Sequence, residues 1–98
     1  MQKTLLTFQT SITIIVVINL VTAYMMMKME AGMDDQVFAE LKKLQEVQEA
    51  SFTYGSYDVV IKVNFKTIED LDRFLFEKVR RIKGIKETSS MIVAKQVI

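Results

Sequence analysis

Residues 54–65 read YGSYDVVIKVNF, and this stretch decides the fold. Gly55 supplies the positive φ that a tight turn requires. After the turn, apolar and polar residues alternate with the period of a strand that buries one face. One side of this strand carries Val59, Ile61, Val63 and Phe65, and the other carries Val60, Lys62 and Asn64. Because residues 47–53 form a second, weaker strand before the turn, the two strands predict a hairpin.

One helix follows this hairpin and another precedes it. Thr67 suits an N-cap, with Asp70 completing a pattern close to a capping box, and Gly84 suits the stop of the same helix. The predicted buried stripe of this helix is Ile68, Leu71, Phe74, Leu75, Val79 and Ile82. The earlier helix opens at Asp34 and Asp35, where negative charge suits a helix N-terminus. Its stripe is Val37, Phe38, Leu41 and Leu44.

Two further strands complete a weak internal repeat of strand, helix and strand over residues 21–53 and 58–97. Two such halves joined by a hairpin predict a ferredoxin-like βαββαβ fold of the α+β class. The sheet is expected to be antiparallel, with both helices on one face. The predicted last strand, residues 85–98, is apolar on both sides, so its second side needs a partner. The uncovered face is expected to carry Val60, Ile92, Ala94 and Ile98, or their neighbours one residue out of register.

Composition excludes several kinds of chemistry. The 98 residues contain no histidine and no cysteine, which rules out disulfides, thiolate nucleophiles and histidine bases or metal ligands. Carboxylate or lysine chemistry stays open on composition alone, and we assign no catalytic residue, no metal and no cofactor. The formal net charge of +1 gives no global attraction for nucleic acid. Half of the residues are hydrophobic, and this aliphatic surplus in so short a chain predicts an oligomer.

Residues 1–20 are apolar and allow three interpretations. They form an accessory extension such as an extra strand or an upstream start, a membrane anchor, or a signal peptide cleaved near residues 21–23. Polar residues such as Gln9 and Asn19 dilute the run, and cleavage at 21–23 would cut the first predicted strand. We expect an extension at residues 1–20 and a domain at residues 21–98. Only the extension is a candidate for contact with a membrane.

Four segments in the right order resemble a known family. They are residues 21–24 (VTAY), 30–32 (EAG), 55–63 (GSYDVVIKV) and 84–93 (GIKETSSMIV). Together they resemble the RAM domain, the effector-binding domain of the Lrp/AsnC transcriptional regulators, over residues 21–98. Family members carry a helix-turn-helix domain before this region. Because residues 1–20 are too short and too apolar for one, the chain resembles a stand-alone RAM domain.

The resemblance implies a ligand-binding assembly. Family members pair through their sheets as a dimeric α+β barrel, and the dimers join into larger assemblies up to an octameric ring. Amino acids bind between dimers. Carried over by motif, the candidate ligand-binding residues are Tyr54, Gly55, Tyr57, Asp58, Thr88 and Ser90. An aspartate can bind the ligand's ammonium, while hydroxyls and turn amides can bind its carboxylate. Each residue also has a purely structural explanation, as a turn or strand residue.

The function expected from this resemblance is that of a cytoplasmic effector-binding module, not an enzyme. It would bind an amino acid, form homo-oligomers and modulate transcription without contacting DNA itself. A full-length Lrp/AsnC regulator is a candidate partner. Two alternatives stay open at this point. They are a small α+β-barrel enzyme of the monooxygenase type, because fold alone does not fix function, and a membrane-tethered structural subunit.

Overall fold

The computed structural model describes residues 2–8 and 14–98, with side chains from residue 20 onward. The elements are β1 (Gln2–Phe8), β2 (Ile14–Met29), α1 (Asp34–Lys42), β3 (Val47–Phe52), β4 (Val59–Phe65), α2 (Ile68–Phe74) and β5 (Ile85–Ile92). A π-helical turn, Leu75–Val79, follows α2 directly. From β2 onward this order is the predicted βαββαβ.

Strand β2 organises the sheet. Its second half lies between β4 and β5, and β3 pairs with β4, so β3 and β5 are the two edges of this four-stranded block. All of these pairings are antiparallel, as predicted. The first part of β2 pairs instead with β1, with Gln2 opposite Leu20 and Phe8 opposite Ile14. Residues 9–13, within the predicted extension, lie outside the described residues.

The core lies between one face of the sheet and both helices. The cross-strand pairs Met25 with Ile61 and Met27 with Val59 form its sheet side, and all four side chains are fully buried. The helices and the turns after them contribute Val37, Leu41, Leu71, Phe74, Val79 and Ile82. Both helices therefore pack on the same face, as the periodicity predicted. Ile68 was predicted to belong to this stripe, but it lies in the first turn of α2 and is 49% exposed.

The helix ends follow their local chemistry. Thr67 is the N-cap of α2, and its Oγ1 accepts a hydrogen bond from the Asp70 backbone N–H at 3.1 Å. After Phe74 the hydrogen bonding loosens into the π-helical turn, which closes with the Arg80 N–H donating to the Leu75 carbonyl at 2.9 Å. The helical segment ends at Val79 with Arg80 as its C-cap, so Gly84 is not the helix stop that was predicted; its φ of +103° belongs instead to the turn that leads into β5.

Gly84→Ala is expected to destabilise the fold far more than Gly32→Ala. Both glycines have positive φ, which costs an L-residue about 1–2 kcal/mol. A Cβ at Gly84 would also lie 2.9 Å from Met33 Cβ and from Val37 Cγ2, whereas a Cβ at Gly32 meets nothing within 4 Å. Overpacking adds about 1–3 kcal/mol to the Gly84 variant alone. Urea unfolding of both variants measures the difference, and equal losses would contradict it.

Strand β5 differs from its prediction in length and in register. It ends at Ile92, so residues 93–98 lie outside it, and the Val93 N–H donates one further bond to the Thr22 carbonyl at 2.8 Å. The pairing contains a bulge, because Glu87 lies opposite Lys28 while Ile85 lies opposite Met29. Lys86 is therefore an extra residue. One extra residue moves every following side chain of the strand to the other face of the sheet. The alternation of apolar and polar residues in the sequence does not reveal where such a residue is inserted.

The sheet face away from the helices is named the open face here. It carries Tyr24, Met26 and Lys28 of β2, Val60 and Lys62 of β4, and Ser89 and Met91 of β5, as the cross-strand pairs show. Val60 is on this face as predicted. Ile92 is not, because it lies opposite core residue Ala23; its neighbour Met91, 54% exposed, takes that place. Ala94 and Ile98 lie beyond the strand.

One ion pair ties the segment after α1 to the π-helical turn. Lys78 Nζ donates to the Glu46 carboxylate, and this bond lowers the pKa of Glu46 below its usual value. The pair therefore stabilises the fold above the ordinary glutamate pKa, and the contribution is lost as pH falls through the lowered value.

Lys78→Met is therefore expected to cost about 0.5–1 kcal/mol at pH 7, because the pair is partly exposed, and much less at pH 3. Urea unfolding at both pH values measures this. An equal loss at the two pH values would contradict the account.

Candidate functional site

The β3–β4 turn positions the first group of candidate residues. The Thr53 hydroxyl donates to the Tyr57 carbonyl at 2.7 Å, and the Thr53 N–H donates to the Asp58 carbonyl at 2.9 Å. Gly55 at the tip has φ +113°, and a Cβ there would meet nothing within 4 Å. Glycine is therefore required at this position for its backbone conformation and not for lack of space. The space beside it is open to a ligand or to another chain.

Asp58 joins this turn to the end of β2. Its N–H donates to the Met27 carbonyl at 2.8 Å, and its Oδ2 accepts a hydrogen bond from the Met29 N–H at 2.9 Å. The carboxylate is half-buried and is held in one orientation by this bond. Oδ1 is then the oxygen that can receive a further donor. Asp58 thus has a structural role and keeps a free acceptor position.

A cleft of about 720 Å³ opens beside Asp58. Its lining, which defines the hairpin cleft, comprises Met29, Glu30, Ala31, Asp34, Phe52, Thr53, Tyr54, Asp58 and Lys86. This volume is in the range of small-ligand sites. The carboxylates of Glu30, Asp34 and Asp58 outnumber the single ammonium of Lys86, so the cleft favours a positively charged group. Phe52 and Tyr54 provide aromatic surface, and Tyr54 is fully exposed.

The structure brings together only part of the predicted site. Tyr54 and Asp58 line the hairpin cleft, and Gly55 is at the tip of the same turn. Tyr57 does not line it; its half-buried ring lies 5.9 Å from Lys28 Nζ, a residue of the open face.

The two hydroxyl residues lie on the other edge of the sheet. Thr88 and Ser90 are on β5, which β2 separates from the β3–β4 hairpin. Thr88 is opposite Met27 and lines a separate recess, while Ser90 is opposite Met25 and is exposed. Within one chain these hydroxyls therefore do not face Asp58.

Glu30, Asp34 and Lys86 are site residues that the sequence analysis missed. They come from the end of β2, the first turn of α1 and the β5 bulge, and only the fold makes them neighbours. For Asp34, helix-dipole chemistry was a sufficient local explanation. The bulge at Lys86 had no sequence signal.

Comparison with known families decides the identity. The model of the Lrp/AsnC ligand binding domain matches residues 22–98. This chain belongs to the Lrp/AsnC family. HTH-type transcriptional regulator FL11 of Pyrococcus furiosus is 37% identical over 75 residues, covering 76% of this chain and 49% of the relative. The regulatory protein AsnC of Escherichia coli is 38% identical over 60 residues, covering 61% and 40%. The chain thus spans about half the length of these Lrp/AsnC regulators.

Solved structures agree with this assignment. FFRP-DM1 matches with a TM-score of 0.70 at 42% identity, covering 74% of this chain and 97% of that one. E. coli AsnC matches with a TM-score of 0.75 at 32% identity, covering 80% and 53%. The ferredoxin-like fold of the Lrp/AsnC domain is therefore confirmed. No helix among the described residues is long and apolar enough to cross a membrane.

Proposed function

We propose that this Lrp/AsnC domain binds a free amino acid in the hairpin cleft and passes the binding event to a transcription regulator. One observation carries the proposal. Asp58 lies in a cleft of about 720 Å³, with Oδ2 held by the Met29 N–H and Oδ1 available to a ligand's ammonium. A charge-assisted hydrogen bond of this kind contributes about 1.5–3 kcal/mol. The surplus of carboxylates over ammonium groups in the cleft also favours a ligand with a positively charged group beside Asp58.

The ligand's carboxylate would be bound by hydroxyls that a second copy supplies. Thr88 and Ser90 carry suitable donors but lie across β2 from Asp58 in the same chain. The open space around Gly55 and the exposed Tyr54 leave the hairpin tip accessible to a neighbouring molecule. We therefore place the complete site at a junction between copies, with Asp58 from one and Thr88 and Ser90 from another. Tyr57 would support the turn.

The open face is the proposed surface for the first step of assembly, a dimer. It carries Tyr24, Met26, Val60 and Met91 among polar neighbours, and both helices lie on the opposite face. An apolar centre with a polar rim is typical of subunit interfaces. Two such faces packed together form the barrel-type dimer, and dimers joined through the hairpin clefts form larger assemblies up to a ring.

The regulatory role follows from the relatives, which are transcription regulators. With a formal net charge of +1, the chain has no global field to attract DNA, so we propose that it acts by co-assembly with a DNA-binding regulator in the cytoplasm. The relatives also favour a binding module over an enzyme. Another protein with this fold, NMB0573 of Neisseria meningitidis, has been crystallised with L-methionine, at 18% identity to this chain.

Residues 1–20 are proposed to be accessory to the domain at 21–98. The family model begins at residue 22. The part of β2 that pairs with β4 begins at Val21, and every later element of the βαββαβ order follows it. A chain beginning at Val21 is therefore expected to fold with a melting temperature within a few degrees of the full chain. Circular dichroism measures this, and an aggregated product from the shorter chain alone would show that the extension belongs to the fold.

A thermal-shift screen of the full chain against the standard amino acids tests the proposed function. We expect at least one to raise the melting temperature saturably, because binding to the folded state alone stabilises it by mass action. The matching D-enantiomer and the amide-blocked carboxylate are controls that leave the side chain intact. No saturable shift with any amino acid at 10 mM (a conventional screening concentration, about 100-fold above a Kd of 0.1 mM) would contradict it.

A further inference from the structure

The basic residues near the end of α2 are not equivalent. Five cations among the described side chains are in ion pairs: Lys28 with Glu87, Lys43 with Glu40, Lys62 with Glu49, Arg73 with Asp70 and Lys78 with Glu46. Arg80 and Lys86 have no carboxylate within 4 Å among the described side chains, and they line one recess of about 450 Å³. We name it the Arg80 recess; its lining is Arg80, Ile85, Lys86, Glu87 and Thr88.

Arg80 is held in place by an exposed aromatic ring. Its Cζ lies 4.6 Å from the ring centroid of Phe76, within cation–π range. Phe76 is 53% exposed and is not part of the core, so core packing does not explain an aromatic residue at this position. The contact orients the guanidinium without neutralising its charge, and a pre-positioned fork of donors suits an oxyanion.

The opposite wall supplies a second cation and a hydroxyl. Lys86 is the extra residue of the β5 bulge, and bulges redirect side chains near functional sites. Thr88, half-buried, adds a hydroxyl that can donate to an anion. Glu87 is the one carboxylate in the recess lining, and its charge is compensated by Lys28 at 3.2 Å. The recess thus keeps two uncompensated positive charges.

We propose that the Arg80 recess binds a phosphate-like oxyanion. Within one chain the recess is separate from the hairpin cleft, which is acidic; Lys86 lines both, and Thr88 is the hydroxyl that the proposed amino-acid site between copies would share with the recess. It is also local, because the neighbouring Lys78 is engaged by Glu46, Arg81 and Lys83 line a different recess that contains Glu40, and the net charge of the chain is only +1. A compact pair of cations with a hydroxyl matches one tetrahedral anion rather than an extended nucleic-acid backbone.

Titration of the full chain with inorganic phosphate, followed by ¹H–¹⁵N NMR at constant ionic strength, tests the proposal. Saturable shifts of the amides of residues 86–88 and of the Arg80 side chain are expected, with none from chloride. Arg80→Gln and Lys86→Gln should each weaken phosphate binding about ten-fold. Lys66→Gln removes the same charge outside the recess lining and should change it less than about two-fold. Equal weakening by all three, or no saturable shift in the wild type, would overturn the site.

The source of the oxyanion is tested by adenosine 5′-monophosphate against adenosine. Binding of the monophosphate with the affinity of phosphate shows recognition of the free anion, and tighter binding shows recognition of a phosphate ester. Adenosine binding as strongly as the monophosphate would contradict an oxyanion site. Phe76→Leu should weaken phosphate binding by a few-fold through a less ordered Arg80, and an unchanged affinity would show that Phe76 does not position Arg80. The wild-type titration stands even where a variant fails to fold.

Discussion

Asp58→Asn is expected to weaken amino-acid binding about ten-fold or more. The substitution keeps an oxygen that can accept the Met29 N–H bond, observed at 2.9 Å, but removes the charge that would bind the ligand's ammonium. Loss of a charge-assisted hydrogen bond costs about 1.5–3 kcal/mol, and about 1.4 kcal/mol is a factor of ten in affinity. Isothermal titration calorimetry with the amino acid that gives the largest thermal shift measures the effect.

Two comparisons separate the binding role of Asp58 from its structural role. Asp58→Ala removes both the charge and the acceptor for Met29 N–H, so it should also lower the melting temperature, whereas Asp58→Asn should not. Thr88→Val should weaken binding less, through one neutral hydroxyl. Unchanged affinity in Asp58→Asn would eliminate the hairpin cleft as the ligand site. A loss of assembly in that variant would favour a purely structural Asp58.

Val60→Lys is expected to convert the proposed dimer into a monomer. Val60 lies on the open face opposite Met26, near the middle of the four-stranded block. In the proposed dimer the substitution buries a lysine near its symmetry mate, and such like-charge contacts cost several kcal/mol. A rise in the dimer dissociation constant of about a hundred-fold corresponds to about 2.8 kcal/mol. Light scattering at micromolar concentration measures the change, with circular dichroism to confirm that the variant is folded.

Ile68→Lys is the matched control. It introduces the same charge at an apolar residue that is already 49% exposed, on the helix side of the molecule. The oligomer should survive this change. A wild-type chain that is monomeric at micromolar concentration, or equal disruption by both lysines, would contradict an interface on the open face.

Local chemistry explains what the sequence predicted well. The Gly55 turn and the Thr67 cap each depend on a few adjacent residues, and each is confirmed by a dihedral angle or a hydrogen bond. The alternation in β4 likewise identifies its buried face, because Val59, Ile61 and Val63 are fully buried. These features needed no knowledge of distant contacts.

Long-range pairing explains what the sequence missed. The end of β5 at Ile92 depends on its pairing with β2, and the bulge at Lys86 moved Met91 to the open face in place of Ile92. The predicted site was divided for the same reason. Asp58 lies beside the end of β2, but Thr88 and Ser90 lie on the edge strand beyond it. A motif shared by two segments does not show whether they meet within one chain or between copies.

A crystal structure of the chain grown with the amino acid that binds best tests the central claim most directly. The account predicts ligand density in the hairpin cleft, with the ammonium within hydrogen-bonding distance of Asp58 Oδ1 and the carboxylate facing Thr88 or Ser90 of a neighbouring copy. Density elsewhere, or an Asp58 that bonds only to Met29 while the bound ligand lies away from it, would contradict the account.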